Sequence, residues 1–201
     1  MKKHPLSKAS FLFASVIAAF MGLTSAGCGS SDSAAKGNTT IYLFNSGSTT
    51  FNVANSTITR AAVDAGCVNA GAPSACTHKT AAFMSFSSSD QISSFATQLG
   101  LPSGKVVGPT GTVIADSWSA LLQGTLQASP VTAGAFPNSS YHYYLTASHA
   151  NGSYYSTQDC AGWTGASGGA GVGDATKADS TAIEFGSSTC NVSVAVLCLC
   201  Y

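Results

Sequence analysis

Seven cysteines hold most of the reactive side-chain chemistry in this 201-residue chain: Cys28, Cys67, Cys76, Cys160, Cys190, Cys198 and Cys200. Three of them fall in the stretch 190–201, "CNVSVAVLCLCY". A cysteine can ligate a metal, carry a lipid or bond a second cysteine. A structural zinc site wants about two to four residues between paired ligands. Neither Cys76-Thr-His78 nor Cys198-Leu-Cys200 offers that gap, so no metal site is expected. The even set that remains once Cys28 is set aside reads as a disulfide framework in an oxidising compartment. Six cysteines admit many pairings, and spacing alone leaves the partners open.

Other chemistry is sparse. Ser167 sits in "GASGG" (165–169), a match to G-x-S-x-G. A nucleophile elbow needs a hydrophobic strand before the serine, a helix after it, and a histidine later in the chain. Here Trp163-Thr164 precedes, more glycine follows, and His4, His78, His142 and His149 all come earlier. No catalytic residue is assigned, and a hydrolase is the least favoured of the functions considered. "GAGVGDATK" (169–177) lacks the Gly-Lys-Ser/Thr ending of a phosphate loop and reads as a flexible loop. Asp159, Asp174 and Asp179 have no EF-hand spacing and read as a solvated loop. His142 and His149 are seven residues apart, which on a continuous strand puts them on opposite sides. No cofactor is expected.

The most suggestive surface run is "YHYYLTASHANGSYY" (141–155). Tyrosine and histidine rings stack on sugars and anchor protein partners. Strand alternation puts Tyr141 and Tyr143 on one side, so about half of the cluster belongs to the core. His142, Tyr144, Tyr154, Tyr155 and Trp163, beside a loop over 165–174, are read as a metal-independent contact for a glycan or a protein.

The elements that must position these residues follow the hydrophobic pattern. Ile41–Phe44 reads as a strand, and Thr59 as the cap of a helix through Asn69. Thr80–Phe86 reads as a strand with Ala82, Met84 and Phe86 on one face. Ser88-Ser89-Asp90 starts an expected helix whose stripe is Ile92, Phe95, Ala96 and Leu99, ending at Gly100. Val106-Val107 and Thr112–Ile114 flank the turn Gly108-Pro109-Thr110-Gly111. Asp116 or Ser117 caps a short helix that buries Trp118, Leu121 and Leu122. Tyr141–Thr146, Thr181–Phe185 and Val192–Cys200 complete the strands. On the last, Val192, Val194, Val196, Cys198 and Cys200 share one face, with Ala195, Leu197 and Leu199 on the other. Both faces are apolar, so this strand is expected at the centre of a sheet. Its two cysteines at i and i+2 point to one side and need separate partners.

The leading residues carry an address. Lys2, Lys3 and Lys8 precede an apolar run over Ala9–Leu23 that is short for a membrane span, so residues 1–27 are expected to be a signal peptide. Leu23-Thr24-Ser25-Ala26-Gly27-Cys28 resembles a bacterial lipobox, which implies a lipid on Cys28 as the membrane anchor. Two or three acyl chains hold stably where one is marginal. Residues 28–40 then form a flexible tether, and 41–201 a single domain. With no Asp following Cys28, the outer membrane is favoured; the alternative is cleavage after Ala26 and secretion. The chain has eight basic and eight acidic residues; removing three leader lysines leaves five against eight, a net charge of −3. Arg60 is the only arginine, so the basic stripe a nucleic-acid binder needs is missing.

In order, "RAAVDAGC", "TAAFMSF", "KVVGPTGTVIADSWSALLQG", "CAGWTGASG" and "CNVSVAVLC" resemble the endostatin domain of collagens XV and XVIII, and bacterial lipoproteins with an endostatin-like domain. The resemblance spans about 41–201. It implies an α+β, C-type-lectin-like fold: two helices against twisted, mostly antiparallel strands. It also implies bridges Cys67–Cys198 and Cys160–Cys190, leaving Cys76 and Cys200 for each other. The heparin-binding arginines, the N-terminal zinc histidines and the calcium motifs of sugar-binding lectins are all missing, so those activities do not carry over. The function expected is a non-catalytic binding or adhesion domain on an outer-membrane lipoprotein, with a structural envelope protein as the alternative.

Overall fold

The computed structural model describes residues 39–51, 57–77, 79–165 and 167–201. The expected signal peptide, Cys28 and most of the tether lie outside the described residues, as does His78. No helix among the described residues is long and apolar enough to cross a membrane.

The architecture is α+β, built on one mixed sheet. Its strands are β1 (Ile41–Phe51), β2 (Thr80–Ala82), β3 (Val106–Val107), β4 (Val113–Ala115), β5 (Tyr143–Leu145), β6 (Gly169–Asp174), β7 (Gly186–Thr189) and β8 (Val194–Cys200). They run in the order β4-β3-β1-β8-β5-β6-β7, with β2 also paired to β8. β1 with β3 and β5 with β8 are parallel; the other pairings are antiparallel.

β8 is central because neither of its faces can be left in water. Leu197 and Leu199 pack into one core with Ile41, Phe83, Phe95 and Trp118. Val194, Val196, Cys198 and Cys200 pack into a second core with Val63, Met84, Leu145 and Trp163. Helix α1 (Arg60–Asn69) covers this second face through Val63 and Cys67, and its start is fixed by Thr59, whose Oγ1 accepts the Ala62 N–H at 3.2 Å. Helix α2 (Trp118–Leu122) covers the first face, capped by Ser117 rather than Asp116.

Three disulfides join Cys67 to Cys198, Cys76 to Cys200 and Cys160 to Cys190, with Cα–Cα distances of 5.6, 5.7 and 5.6 Å. The first and third are the pairs the resemblance implies, and the second joins the two cysteines it leaves over. Cys198 and Cys200 take separate partners on one face of β8, as their i, i+2 spacing requires.

Five local expectations need correction. The last strand starts at Val194, and Val192 is 39 % exposed in the turn before it. The 80–86 strand ends at Ala82: Phe83 N–H still donates in register to the Leu197 carbonyl, but Met84 N–H turns back to the Ala82 carbonyl at 3.0 Å, although Ala82 and Met84 remain buried. The helix after Asp90 is a 3-10 turn over Ile92–Ser94 followed by a wide turn over Ala96–Gly100, and Ala96 is exposed. Residues 181–185 form no strand: Asp179 accepts the Thr181 N–H at 2.8 Å and nucleates a 3-10 turn over Ser180–Ala182, so the strand starts later, at Gly186. The supposed loop 169–174 is the buried strand β6. Its glycines permit close packing: a Cβ on Gly173 would lie 2.1 Å from the Ala182 carbonyl oxygen and 2.9 Å from Tyr144 Cζ.

Candidate functional site

The five aromatic and histidine residues singled out from sequence do not form one surface. Tyr144 is 1 % exposed, with its hydroxyl donating to the Ala182 carbonyl. Burial, with Asp174 nearby, pushes its phenol pKa well up. Trp163 is 2 % exposed and packs its ring 5.3 Å from Phe86. Both are core residues and present no face to a ligand. Trp163 is held by a left-handed turn, with positive φ at Cys160 (55°), Ala161 (57°), Gly162 (71°) and Trp163 (64°). Asp159 fastens that turn by accepting the Gly162 N–H at 3.0 Å, and it also accepts the Tyr154 hydroxyl. Burial and this carboxylate push the Tyr154 phenol up, so Tyr154 is committed to the turn.

The acids read as solvated are partly structural too. Asp159 and Asp174 are buried, and Asp174 accepts the Thr176 N–H at 2.9 Å beside His142, whose Nε2 lies 3.5 Å away. No group of three metal-ligating side chains occurs among the described residues.

What the fold does assemble is a groove at the β7 edge. β5 carries Tyr143 out of the second core, and the turn after Ala182 delivers Phe185 to the same place. Their rings stack at 5.2 Å and 24°. Tyr141 meets Tyr143 edge-on at 5.8 Å, and His142 lies 4.7 Å from the Tyr143 ring. Tyr141 is 44 % and Phe185 45 % exposed, an uncommon investment of aromatic surface in water. Tyr141, Tyr143 and Phe185, with Val172, Gly186, Ser187 and Ser188, line a hollow of about 370 Å³.

A second hollow, about 270 Å³, borders the first and is polar: Tyr155, Gln158 and Glu184 line it, and Phe185, Gly186 and Ser187 are shared. Glu184 is fixed in place. One carboxylate oxygen lies 2.9 Å from His149 Nδ1, and the other accepts the Ala150 N–H at 2.8 Å. His149 in turn stacks on Tyr155 at 4.1 Å. A larger hollow, about 580 Å³ beside Phe44, Pro73 and Phe136, is lined by no titratable side chain.

Of the sequence candidates, His142 and Tyr155 thus border the groove, while Tyr144, Tyr154 and Trp163 support the fold around it. Alternation puts Tyr141 and Tyr143 on one side, and it is this side, rather than the one carrying Tyr144, that opens to the groove. Phe185 and Glu184 were not legible from the sequence, because the segment carrying them looked like a strand of its own. No protein-family model matches this chain, and no curated protein sequence matches it.

Proposed function

We propose that this chain is a lipid-anchored envelope protein whose disulfide-stapled domain binds a partner without catalysis, through the Tyr141–Tyr143–Phe185 groove. The observation that carries the reading is the stack of exposed rings held open at a sheet edge. Amphipathic rings at a rigid edge give a partner a large contact area with little side-chain ordering. The groove stands on β5 and β6, both tied into the central strand β8, so it is formed before any partner arrives. The C-type-lectin-like, endostatin-like assignment belongs to the same reading. It rests on the order of the motifs, and two helices, a mixed sheet and three bridges are compatible with it.

The test uses the full chain, with replacement of the two exposed rings. Solubilised envelope material and a glycan panel should be retained by the wild type, with or without EDTA, and lost by Tyr141→Ala with Phe185→Ala at unchanged thermal stability. Retention that survives the double replacement, or that vanishes with EDTA, would overturn the assignment of the site. For the anchor, a palmitate analogue should label the wild type and leave Cys28→Ser unlabelled.

A further inference from the structure

The two hollows adjoin along one exposed sheet edge, sharing Phe185, Gly186 and Ser187, with Tyr143 and Val172 on one side of it and Gln158 on the other, and this selects among possible partners. β7 ends the sheet, and among the described residues β6 is its sole strand neighbour. It pairs Val172 with Gly186, Gly171 with Ser187 and Ala170 with Ser188. Residues directly opposite in an antiparallel pair share a face, and neighbours along a strand alternate. Gly186 and Ser188 therefore face the same way as Val172, into the aromatic hollow. Ser187 faces the other way, with Gly171. A Cβ on Gly171 would meet Gln158 Cβ at 3.4 Å, which places Gln158 and the polar hollow on the Ser187 side.

The backbone of this edge is open as well. Gly171 N–H donates to the Gln158 carbonyl at 2.8 Å, and its own carbonyl accepts the Thr146 N–H at 2.9 Å, so its polar groups point away from β7. Its partner Ser187 occupies the corresponding non-hydrogen-bonded position, with N–H and C=O directed outward. Gly186, Ser187 and Thr189 are exposed, and "GSST" (186–189) has none of the lysines or prolines that commonly protect an edge.

We propose that β7 is a strand-addition site for an extended polypeptide segment that alternates apolar and basic side chains. The inference rests on the binding reading above and names its partner class. An added strand bonds to the outward groups of Ser187 and places successive side chains on opposite faces of the sheet. One side chain enters the aromatic hollow beside the stacked rings of Tyr143 and Phe185. The next enters the polar hollow, where Glu184 is the charged lining residue and no lysine or arginine stands against a cation. A second copy of this chain would pair Gly and Ser side chains there and fill neither hollow. A glycan would use the rings but not the backbone edge.

The full chain is titrated by fluorescence anisotropy with a labelled nonapeptide alternating Phe and Lys, and with a peptide of the same composition in Phe and Lys blocks. The alternating peptide should bind at least about tenfold more tightly and slow amide exchange at Ser187. Ser187→Pro, which removes an outward N–H and no ladder bond, should weaken it about tenfold or more. N-methylation of the peptide amides in one of the two alternate registers should abolish binding, and in the other should leave it intact. Equal binding of the two peptides, or indifference to methylation in both registers, overturns strand addition. A glycan response lost in Tyr143→Ala and insensitive to Ser187→Pro would keep the binding reading and overturn this one. Sedimentation showing a dimer that Ser187→Pro dissolves would assign the edge to a second copy and likewise overturn it.

Discussion

Replacing Arg60 should cost more stability than any other single charged residue in the domain. Its guanidinium forks onto Asp90 at 3.0 and 2.9 Å, and donates to the carbonyls of Ala82 at 2.9 Å and Met84 at 2.6 Å. It also lies over the rings of Phe86 (4.6 Å) and Phe95 (5.2 Å). The two carbonyls belong to fully buried residues where β2 gives way to a bend; the Ala82 carbonyl also accepts the Met84 N–H at 3.0 Å, so the Met84 carbonyl depends most on the arginine. Hydrogen bonds from a charged donor are worth about 1.5–3 kcal/mol each. The half-exposed fork adds about 1 kcal/mol or less, and the ring contacts about 0.5–1 kcal/mol. Allowing for non-additivity, Arg60→Met should lose about 4 kcal/mol, and Arg60→Lys should restore no more than about half of it. Urea unfolding of the oxidised protein measures both.

The deficit should also depend on pH. Burial pushes the Asp64 carboxyl above 3.8, against the Ala82 N–H and Arg60, which lower it. Without Arg60 it rises further. A carboxyl whose folded pKa is raised takes its proton first in the folded state, so its contribution to stability falls as pH rises through that value. The Arg60→Met deficit should therefore be full at neutral pH and narrow on acidification through the raised Asp64 pKa. A loss below about 1 kcal/mol, or a lysine variant equal to wild type, would refute the reasoning.

Three further substitutions probe the backbone. Gly173→Ala should destabilise by about 3 kcal/mol, because its Cβ meets the Ala182 carbonyl at 2.1 Å, whereas Gly186→Ala, with nothing within 4 Å, should change the thermal midpoint little. Ala161→Gly should raise the midpoint by the equivalent of about 1 kcal/mol, since Ala161 holds φ 57° and ψ 50° where glycine is unstrained; a lowered midpoint would show that this turn has another origin.

The sequence by itself determined what depends on local chemistry and on alternation. Thr59 caps α1 and Ser117 caps α2 because a hydroxyl reaches an N–H three residues on. The two apolar faces of 194–200 required a central strand, and the i, i+2 spacing of Cys198 and Cys200 required two separate partners. The absence of a basic stripe around one arginine was equally plain, although what Arg60 does was not. Its partners Asp90, Ala82 and Met84 lie 22 to 30 residues away and come together through the fold. The tertiary structure alone decided that "GAGVGD" (169–174) is a buried strand, because glycine's signal is the same whether the backbone needs freedom or lacks room. It also decided which aromatics meet water. Tyr144 and Trp163 are drawn into cores, while Tyr141, Tyr143 and Phe185 gather at an edge from segments some forty residues apart. Residue type sets that a ring can bind; only the register of β5, β6 and β7 sets which face it stands on.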